Sequence, residues 1–403
     1  MVSQLDRASA VDRLLTRGVV DVVVRDDLRR KLLGQRPLRV KLGVDPTRPD
    51  IHLGHYVCFR KLREFQALGH QVVVIIGDWT ARIGDPSGRS VQRTMLTAEE
   101  VRANAQTYLE QFFKVVDINR AEIVWQSTWF DTFTLEDVIR LTSKYTVARM
   151  LDREDFARRY QEGLPISITE LLYPLLQAYD SVAIQADVEI GGTDQTFNLL
   201  VGRDIMREMG QEPQNILTVP LLVGTDGVQK MSKSLDNYIG VTEPPEEMFG
   251  KLMSVPDWVL GDYLRLLTDI PDQEIDAMLL AAERGELNPR DIKERLAFQV
   301  VADLHSVEAA ERAREAFDRL FRRRELPEQM PEIEVPAEGW IVPIMVQAGL
   351  ASSNNEARRL IAQGGVRLDG QRVDNPDLVL RLERPTVIQV GRRRFARLVP
   401  RLP

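Results

Sequence analysis

The sequence predicts a doubly wound parallel α/β sheet, followed by an all-helical segment and a small mixed α+β segment at the end. Three observations carry that expectation. Short β-branched runs alternate with helix-period stretches over residues 38–223. Beyond Pro244-Pro245, no convincing β run occurs until about residue 325. The last 68 residues then mix strand and helix signals. At 403 residues the chain is too long for one ordinary domain, and 44% hydrophobic content with 28% charge excludes a mostly disordered protein.

Taken in order, the first 36 residues read as a helical lead-in ending at the breakers Gly34 and Pro37. Residues 38–44 follow as a strand, closed by the turn-rich Asp45-Pro46-Thr47-Arg48-Pro49-Asp50. From His52 to Leu68 the period changes: Leu53, Tyr56, Phe59, Leu62, Phe65 and Leu68 recur every three residues, and Gly69 supplies a stop. The run Gln71–Ile76 fits a strand buried on both faces. Strand, helix and strand within forty residues make a parallel, right-handed βαβ unit. The alternation returns with strands expected at 122–125, 187–192 and 217–223, and helices at 135–141 and 194–209. Amphipathic stretches at 290–304 and 307–323 mark the helical segment, and residues 326–336, with three prolines among glutamates, read as a linker. In the tail, residues 354–363 read as a helix bearing Arg358 and Arg359, and 366–373 as a hairpin around Asp369-Gly370. The expected divisions are residues 1–240, 241–326, a linker at 327–336, and 337–403.

Composition narrows the setting. The longest uncharged apolar run, residues 72–77, is a third of a bilayer crossing, so no membrane partner is expected. Asp6, Arg7 and Asp12 leave no secretory signal, and the single Cys58 excludes an intrachain disulfide or a multi-cysteine metal site. The expected location is the cytoplasm. Charge is unevenly divided: residues 336–403 hold eleven arginines against six acids, a net of +5, leaving −12 on the rest. A basic tail on an acidic body points to an anionic partner for the tail. Lysine is scarce, nine against 44 arginines, yet Lys230 and Lys233 share one short loop.

Two constellations carry chemistry. His52-Leu53-Gly54-His55 sets two of the four histidines three apart at the start of a helix, where phosphate is attracted, and Gly54 leaves room for a flat base or ribose. The competing readings are a zinc pair or two solvated histidines; zinc needs a third ligand, and none is obvious nearby. Lys230-Met231-Ser232-Lys233-Ser234 puts two ammonium groups on a loop that can close over a pyrophosphate, although such a loop alone is more often plain surface.

Together these two motifs resemble the signature pair of the class I aminoacyl-tRNA synthetases, whose catalytic domain is Rossmann-like. A third segment, Tyr173-Pro-Leu-Leu-Gln177-Ala-Tyr-Asp180, with Gly191-Gly192-Thr193-Asp194-Gln195 and Gly84-Asp85-Pro86-Ser87-Gly88-Arg89, is similar to the tyrosyl-tRNA synthetase family. The resemblance implies that Thr47, His52 and His55 meet the phosphates and that Lys230 and Lys233 clamp the leaving pyrophosphate, with Arg89 assisting. It further implies Gly54, Gly191 and Asp194 at adenosine, Asp85, Tyr173, Gln177 and Gln195 at the polar end of tyrosine, and Asp180 at its phenol. The tail resembles an S4-type RNA-binding domain, with Arg358, Arg359, Arg367 and Arg372 facing RNA. By the same resemblance the helical segment recognises the anticodon, the substrates are L-tyrosine, ATP with Mg2+, and tRNA(Tyr), no metal is held by protein side chains, and the chain pairs as a homodimer.

Two positions depart from the family. Lys41 stands where many relatives have a tyrosine that bonds the phenol, so either Lys41 replaces it or Asp180 acts alone with water. Cys58 stands where threonine is frequent. The rival readings are a tryptophanyl-tRNA synthetase, a small-molecule nucleotidyltransferase, and a non-catalytic RNA-binding descendant of the scaffold.

Overall fold

A computed structural model describes residues 4–47, 51–86, 96–321, 330–391 and 394–401. The chain divides into two compact units, Met1–Arg314 and Glu315–Pro403. The first is built on a six-stranded sheet of β1 (Asp21–Val23), β2 (Arg39–Val44), β3 (Gln71–Ile76), β4 (Ala121–Trp125), β5 (Val188–Gly192) and β6 (Asn215–Val219), in the spatial order β1-β6-β5-β2-β3-β4. Strands β2 to β6 are parallel, as expected. The winding reverses at β2, which pairs with β3 on one side and β5 on the other. An open α/β sheet presents its crevice at the carboxyl ends of the strands on either side of such a reversal.

Two boundaries differ from the sequence reading. The lead-in contains β1, which runs antiparallel to β6 with Val22 opposite Leu217, so the sheet is parallel except at this edge. Three residues are too few to show a period; the partner strand supplies the order. The strand expected at 217–223 starts at Asn215 and stops at Val219 because Pro220 has no N–H to donate. Elsewhere the hydrophobic pattern reads through to packing. Val72 to Ile76 are fully buried, and Leu53, Tyr56, Phe59, Leu62 and Phe65 form the buried face of helix Leu53–Ala67.

The helical segment comprises Pro245–Leu252, Leu260–Leu267, Asp272–Glu283, Pro289–Leu304 and Val307–Phe321, and as far as Arg314 it belongs to the first unit. It grips the flank of helix Leu53–Ala67. Arg60 pairs with Asp269 (2.5 Å) and Asp303 (3.3 Å), Arg63 pairs with Asp303 (2.9 Å), and the Tyr56 hydroxyl donates to Asp303.

The second unit packs helices Ile341–Gln347 and Asn354–Ala362 with a five-stranded sheet around Val335, Ile341, Met345, Ala357, Ile361 and Ile388. Residues 332–336 of the expected linker are a strand of that sheet, parallel to Arg394–Arg401. Ile333 and Val335 alternate with glutamates, a strand pattern the prolines had masked. The expected hairpin is present, with Asp369 (φ 44°) and Gly370 (φ 83°) both left-handed at its tip.

Candidate active site

A cavity of about 400 Å³ opens at the carboxyl ends of β2, β3 and β5. Its walls bring together His52, Gly54, His55, Asp85, Tyr173, Gln177, Asp180, Gly191, Asp194, Gln195 and Lys230. Thr47 and Lys233 are not among its lining residues, and Arg89 lies outside the described residues.

His52 caps the helix that follows it: its Nδ1 accepts the Gly54 N–H (3.1 Å), while His55 Nδ1 accepts the His52 N–H (3.3 Å). The ring centroids are 4.1 Å apart. A Cβ on Gly54 would lie 2.9 Å from the His52 ring, so a side chain here would collide with the capping imidazole. Burial, and then the charges of His55 and the two lysines, holds His52 down at about 2; burial above all holds His55 at about 4. Both rings are therefore neutral at pH 7. With Nδ1 accepting, each carries its proton on Nε2 as a donor.

The lysine loop is tied to the same helix through the backbone. Leu53 N–H donates to Ile239 O (2.9 Å), and Val241 N–H donates to Ile51 O (3.0 Å). Asn237 holds the loop's shape: it accepts the Ser232 N–H (2.8 Å) and donates to Asp226 (2.8 Å) and to the Lys230 carbonyl (3.2 Å). Lys230 Nζ reaches within 3.6 Å of the Asp194 carboxylate, and the Lys233 ammonium lies 5.7 Å from the centre of the Tyr238 ring. Cys58 also lines the cavity; burial and the Asp194 charge push its thiol up to about 12, so it is uncharged.

The opposite end of the cavity is a polar framework. Helix Ile168–Ile184 brings Tyr173, Gln177 and Asp180 to the wall, as their spacing predicts. Tyr173 OH donates to Asp45 (2.9 Å), whose other oxygen lies 2.7 Å from the Thr80 hydroxyl. A Cβ on Gly77 would sit 2.2 Å from that oxygen, so only glycine lets the end of β3 close on the end of β2. Asp85 and Gln195 belong to a closed ring: Arg153 donates to Asp85 (3.1 Å) and to Asn198 (3.2 Å), Asn198 to Gln195 (2.9 Å), and Gln195 to Asp85 (2.7 Å).

Asp180 is 1% exposed. Its Oδ2 accepts from Gln126 Nε2 (2.8 Å), and its Oδ1 has no hydrogen-bond partner among the described residues. Gln126 cannot be turned around, because its Oε1 already accepts the N–H groups of Trp79 (3.2 Å) and Thr80 (3.0 Å). Burial pushes the Asp180 carboxyl up to about 8, against the pull of Lys41 and Gln126. Of the two alternatives for the phenol, replacement by Lys41 is disfavoured: its ammonium donates to the Gln177 carbonyl (2.9 Å), Ser181 Oγ (2.8 Å) and Glu189 (2.9 Å), which uses all three protons. Sequence reasoning missed Asp45, Gln126, Arg153, Glu189 and Asn198. Asp45 and Glu189 adjoin motifs that drew attention; Gln126 and Arg153 carry no local signal.

In the tail, Arg372 opposes Arg367 across the hairpin, and its guanidinium lies over Gly364, just past the helix that carries Arg358 and Arg359. Arg358 pairs with Asp377 (3.0 Å), and Arg372 pairs with Asp374 (2.5 Å). Like charges facing each other across a hairpin are unfavourable without a counter-anion.

The family model described as tRNA synthetases class I (W and Y) matches residues 33–322, and the S4 domain model matches residues 340–383. A tyrosine–tRNA ligase of Dehalococcoides mccartyi is 54% identical over 96% of this chain and 98% of its own length. The chain belongs to the tyrosyl-tRNA synthetase family. A tyrosine–tRNA ligase of Thermotoga maritima is likewise 54% identical, over 96% of each chain. The solved structure of a truncated mitochondrial tyrosyl-tRNA synthetase from Aspergillus nidulans shares the fold, with a TM-score of 0.65 at 22% identity over 79% of this chain and 99% of its own. Among the described residues no helix is long and apolar enough to cross a membrane.

The fold resists ionising Asp180. A carboxyl raised from 3.8 to about 8 stabilises the folded state below its ordinary range, and that contribution is lost as pH rises through 8. Asp180→Asn should therefore melt at a progressively higher temperature than the parent as pH goes from 5 to 9, while its KM for tyrosine rises. Melting scans across that range check it; a pH-independent difference would contradict it.

Proposed function

We propose that the chain activates L-tyrosine with ATP and transfers it to tRNA(Tyr). The tyrosine carboxylate attacks the α-phosphorus, the bond to the bridging oxygen breaks, and pyrophosphate leaves. A ribose hydroxyl at the tRNA 3′ end then attacks the tyrosyl carbonyl and AMP leaves. The observation that carries the reading of the side chain is the unpaired, buried Oδ1 of Asp180 on the cavity wall. A phenol hydroxyl, which can both donate and accept, would supply the partner this oxygen lacks; phenylalanine would leave it unpaired, at a cost of about 1–3 kcal/mol. The strong rejection of phenylalanine by this enzyme type is a standard example of such discrimination. The family model covers tryptophan and tyrosine enzymes alike, but the relatives at 54% identity are tyrosine–tRNA ligases, so tryptophan is not favoured.

In this reading the ammonium of tyrosine meets three acceptors, the Tyr173 oxygen, Gln177 Oε1 and the Asp85 carboxylate, with Gln195 beside them. Tyr173 donates its own proton to Asp45 and Gln177 donates its amide to Glu189 (3.2 Å), which leaves both oxygens to accept. His52 and His55 donate to the phosphates as neutral groups, which adds no charge to be desolvated. Lys230 and Lys233 neutralise the departing pyrophosphate, with Thr47 and Arg89 assisting as the chain closes on ATP. Gly54, Gly191 and Asp194 border the adenosine. Magnesium enters with ATP, held by phosphate oxygens. No protein nucleophile is needed: catalysis is positioning and charge stabilisation.

For the remaining assignments, residues 1–240 carry activation, 241–326 read the anticodon arm, and residues 337–403 bind RNA backbone through Arg358, Arg359, Arg367 and Arg372. The strand Glu332–Pro336 joins this last unit in place of a free linker. The chain works as a homodimer in the cytoplasm. Supporting the dimer, five large apolar side chains of one 34-residue stretch, Leu135, Ile139, Val147, Tyr160 and Ile168, are all more than half exposed.

Amino-acid-dependent ATP–pyrophosphate exchange with tyrosine, tryptophan and phenylalanine in parallel should proceed with tyrosine alone. His55→Ala and Lys233→Ala should each slow it by about two to three orders of magnitude; near-parental single-turnover rates would remove those roles. Deleting residues 336–403 should spare exchange and cripple tRNA charging, and an intact charging rate would remove the tail from the reaction. Sedimentation should give twice 45.9 kDa, falling to one chain in Ile139→Glu; a monomeric parent would overturn the dimer.

A further inference from the structure

Lys41 and Glu189 form an ion pair that the reaction does not use, and it is among the most deeply buried in the molecule. The two side chains are 0% and 1% exposed, 2.9 Å apart, on the adjacent strands β2 and β5. A buried charge pair costs more desolvation than a well-packed apolar pair, so its value lies in what it fixes. Here every polar atom is engaged. Lys41 Nζ donates to the Gln177 carbonyl (2.9 Å) and to Ser181 Oγ (2.8 Å) as well as to Glu189. Glu189 Oε1 also accepts the Gln177 amide (3.2 Å), while its Oε2 accepts Ser181 Oγ (3.2 Å) and the Gln214 amide. Gln177 is thus held at both ends, its carbonyl by Lys41 and its side chain by Glu189. The carbonyl of Gln177 lies one turn before Ser181, so Lys41 fastens the turn that carries Asp180. Glu189 itself borders the cavity.

We propose that the Lys41–Glu189 pair positions the tyrosine pocket, setting the orientation of the Gln177 side chain and the placement of Asp180, in place of a direct contact from residue 41 to the phenol. The inference rests on the assignment of Gln177 and Asp180 to tyrosine. A full set of hydrogen bonds makes the pair a fixed reference: Gln177 Nε2 is committed to Glu189, so its Oε1 is turned to accept from the substrate ammonium. Only the amino-acid site depends on it; the ATP end of the cavity is built on the His52 helix and the lysine loop.

The test is tyrosine-dependent ATP–pyrophosphate exchange by the full chain, with KM for tyrosine and for ATP measured separately. Activity of the parent with tyrosine establishes the underlying reading first; its absence would overturn that reading rather than this one. Lys41→Met leaves Glu189 charged and unpaired and can fail to fold, so the decisive variant is the charge-neutral double, Lys41→Met with Glu189→Gln. It should keep the parental far-ultraviolet spectrum, raise KM for tyrosine at least tenfold, narrow the tyrosine-to-phenylalanine preference by a similar factor, and leave KM for ATP within twofold. Glu189→Gln alone should raise KM for tyrosine in the same selective way. A parental KM for tyrosine in the double variant, or parallel losses in both KM values with a lowered melting temperature, would overturn the proposal and leave the pair as packing.

Discussion

The whole site depends on a pair of backbone hydrogen bonds. Residues 51–53 and 239–241 meet edge to edge, Leu53 donating to Ile239 and accepting none of its order from nearby sequence. Without that bridge the histidine motif and the lysine loop would be two unrelated surface features nearly two hundred residues apart. With it, the imidazoles that start the helix and the Lys230 ammonium face one cavity. The bridge uses main-chain atoms, so its geometry is insensitive to side-chain identity and leaves His52 and Lys230 free for chemistry.

The two ends of the cavity solve opposite electrostatic problems. At the histidine end, burial keeps both rings uncharged, so they offer donors without adding repulsion to the lysines. At the opposite end, charge is abundant but engaged: Asp85 with Arg153, Asp45 with Tyr173 and Thr80, Glu189 with Lys41. Asp180 is the exception, one oxygen fixed by Gln126 and the other unpaired. A rigid frame around one unpartnered polar group is how a pocket senses the presence of a hydroxyl, because the frame prevents the deficit from being repaired by relaxation.

Much of this was legible in the sequence, and the illegible parts have physical reasons. Gln71–Ile76 was bounded correctly because burial on both faces writes an unbroken β-branched run. The helix after His52 was legible because one face packs and the period shows it. β1 was not, because three residues carry no period and their partner lies almost two hundred residues away. Proline misled at 332–336, where an alternating pattern still forms a ladder. In the site, the residues that line the cavity mostly sit in motifs, since their spacing follows a helix or a turn. Those that hold them in place do not: Gln126 fixes Asp180 and Arg153 fixes Asp85 from segments whose local sequence is ordinary. Lys41 was conspicuous as a departure, but its meaning required Glu189 across the sheet.

Helix Leu53–Ala67 spans roughly 22 Å at 1.5 Å per residue. Its first turn is bolted to residues 239–241, and its flank is clamped through Tyr56, Arg60 and Arg63 to Asp303 on helix Pro289–Leu304 and to Asp269. A helix bends far less readily than the loops around it, so it behaves as a short crankshaft. Any rotation of the helical segment turns the imidazoles by a matching angle. The aim of His52 and His55 is therefore referenced to Asp269 and Asp303 on the helical segment, two carboxylates outside the cavity wall.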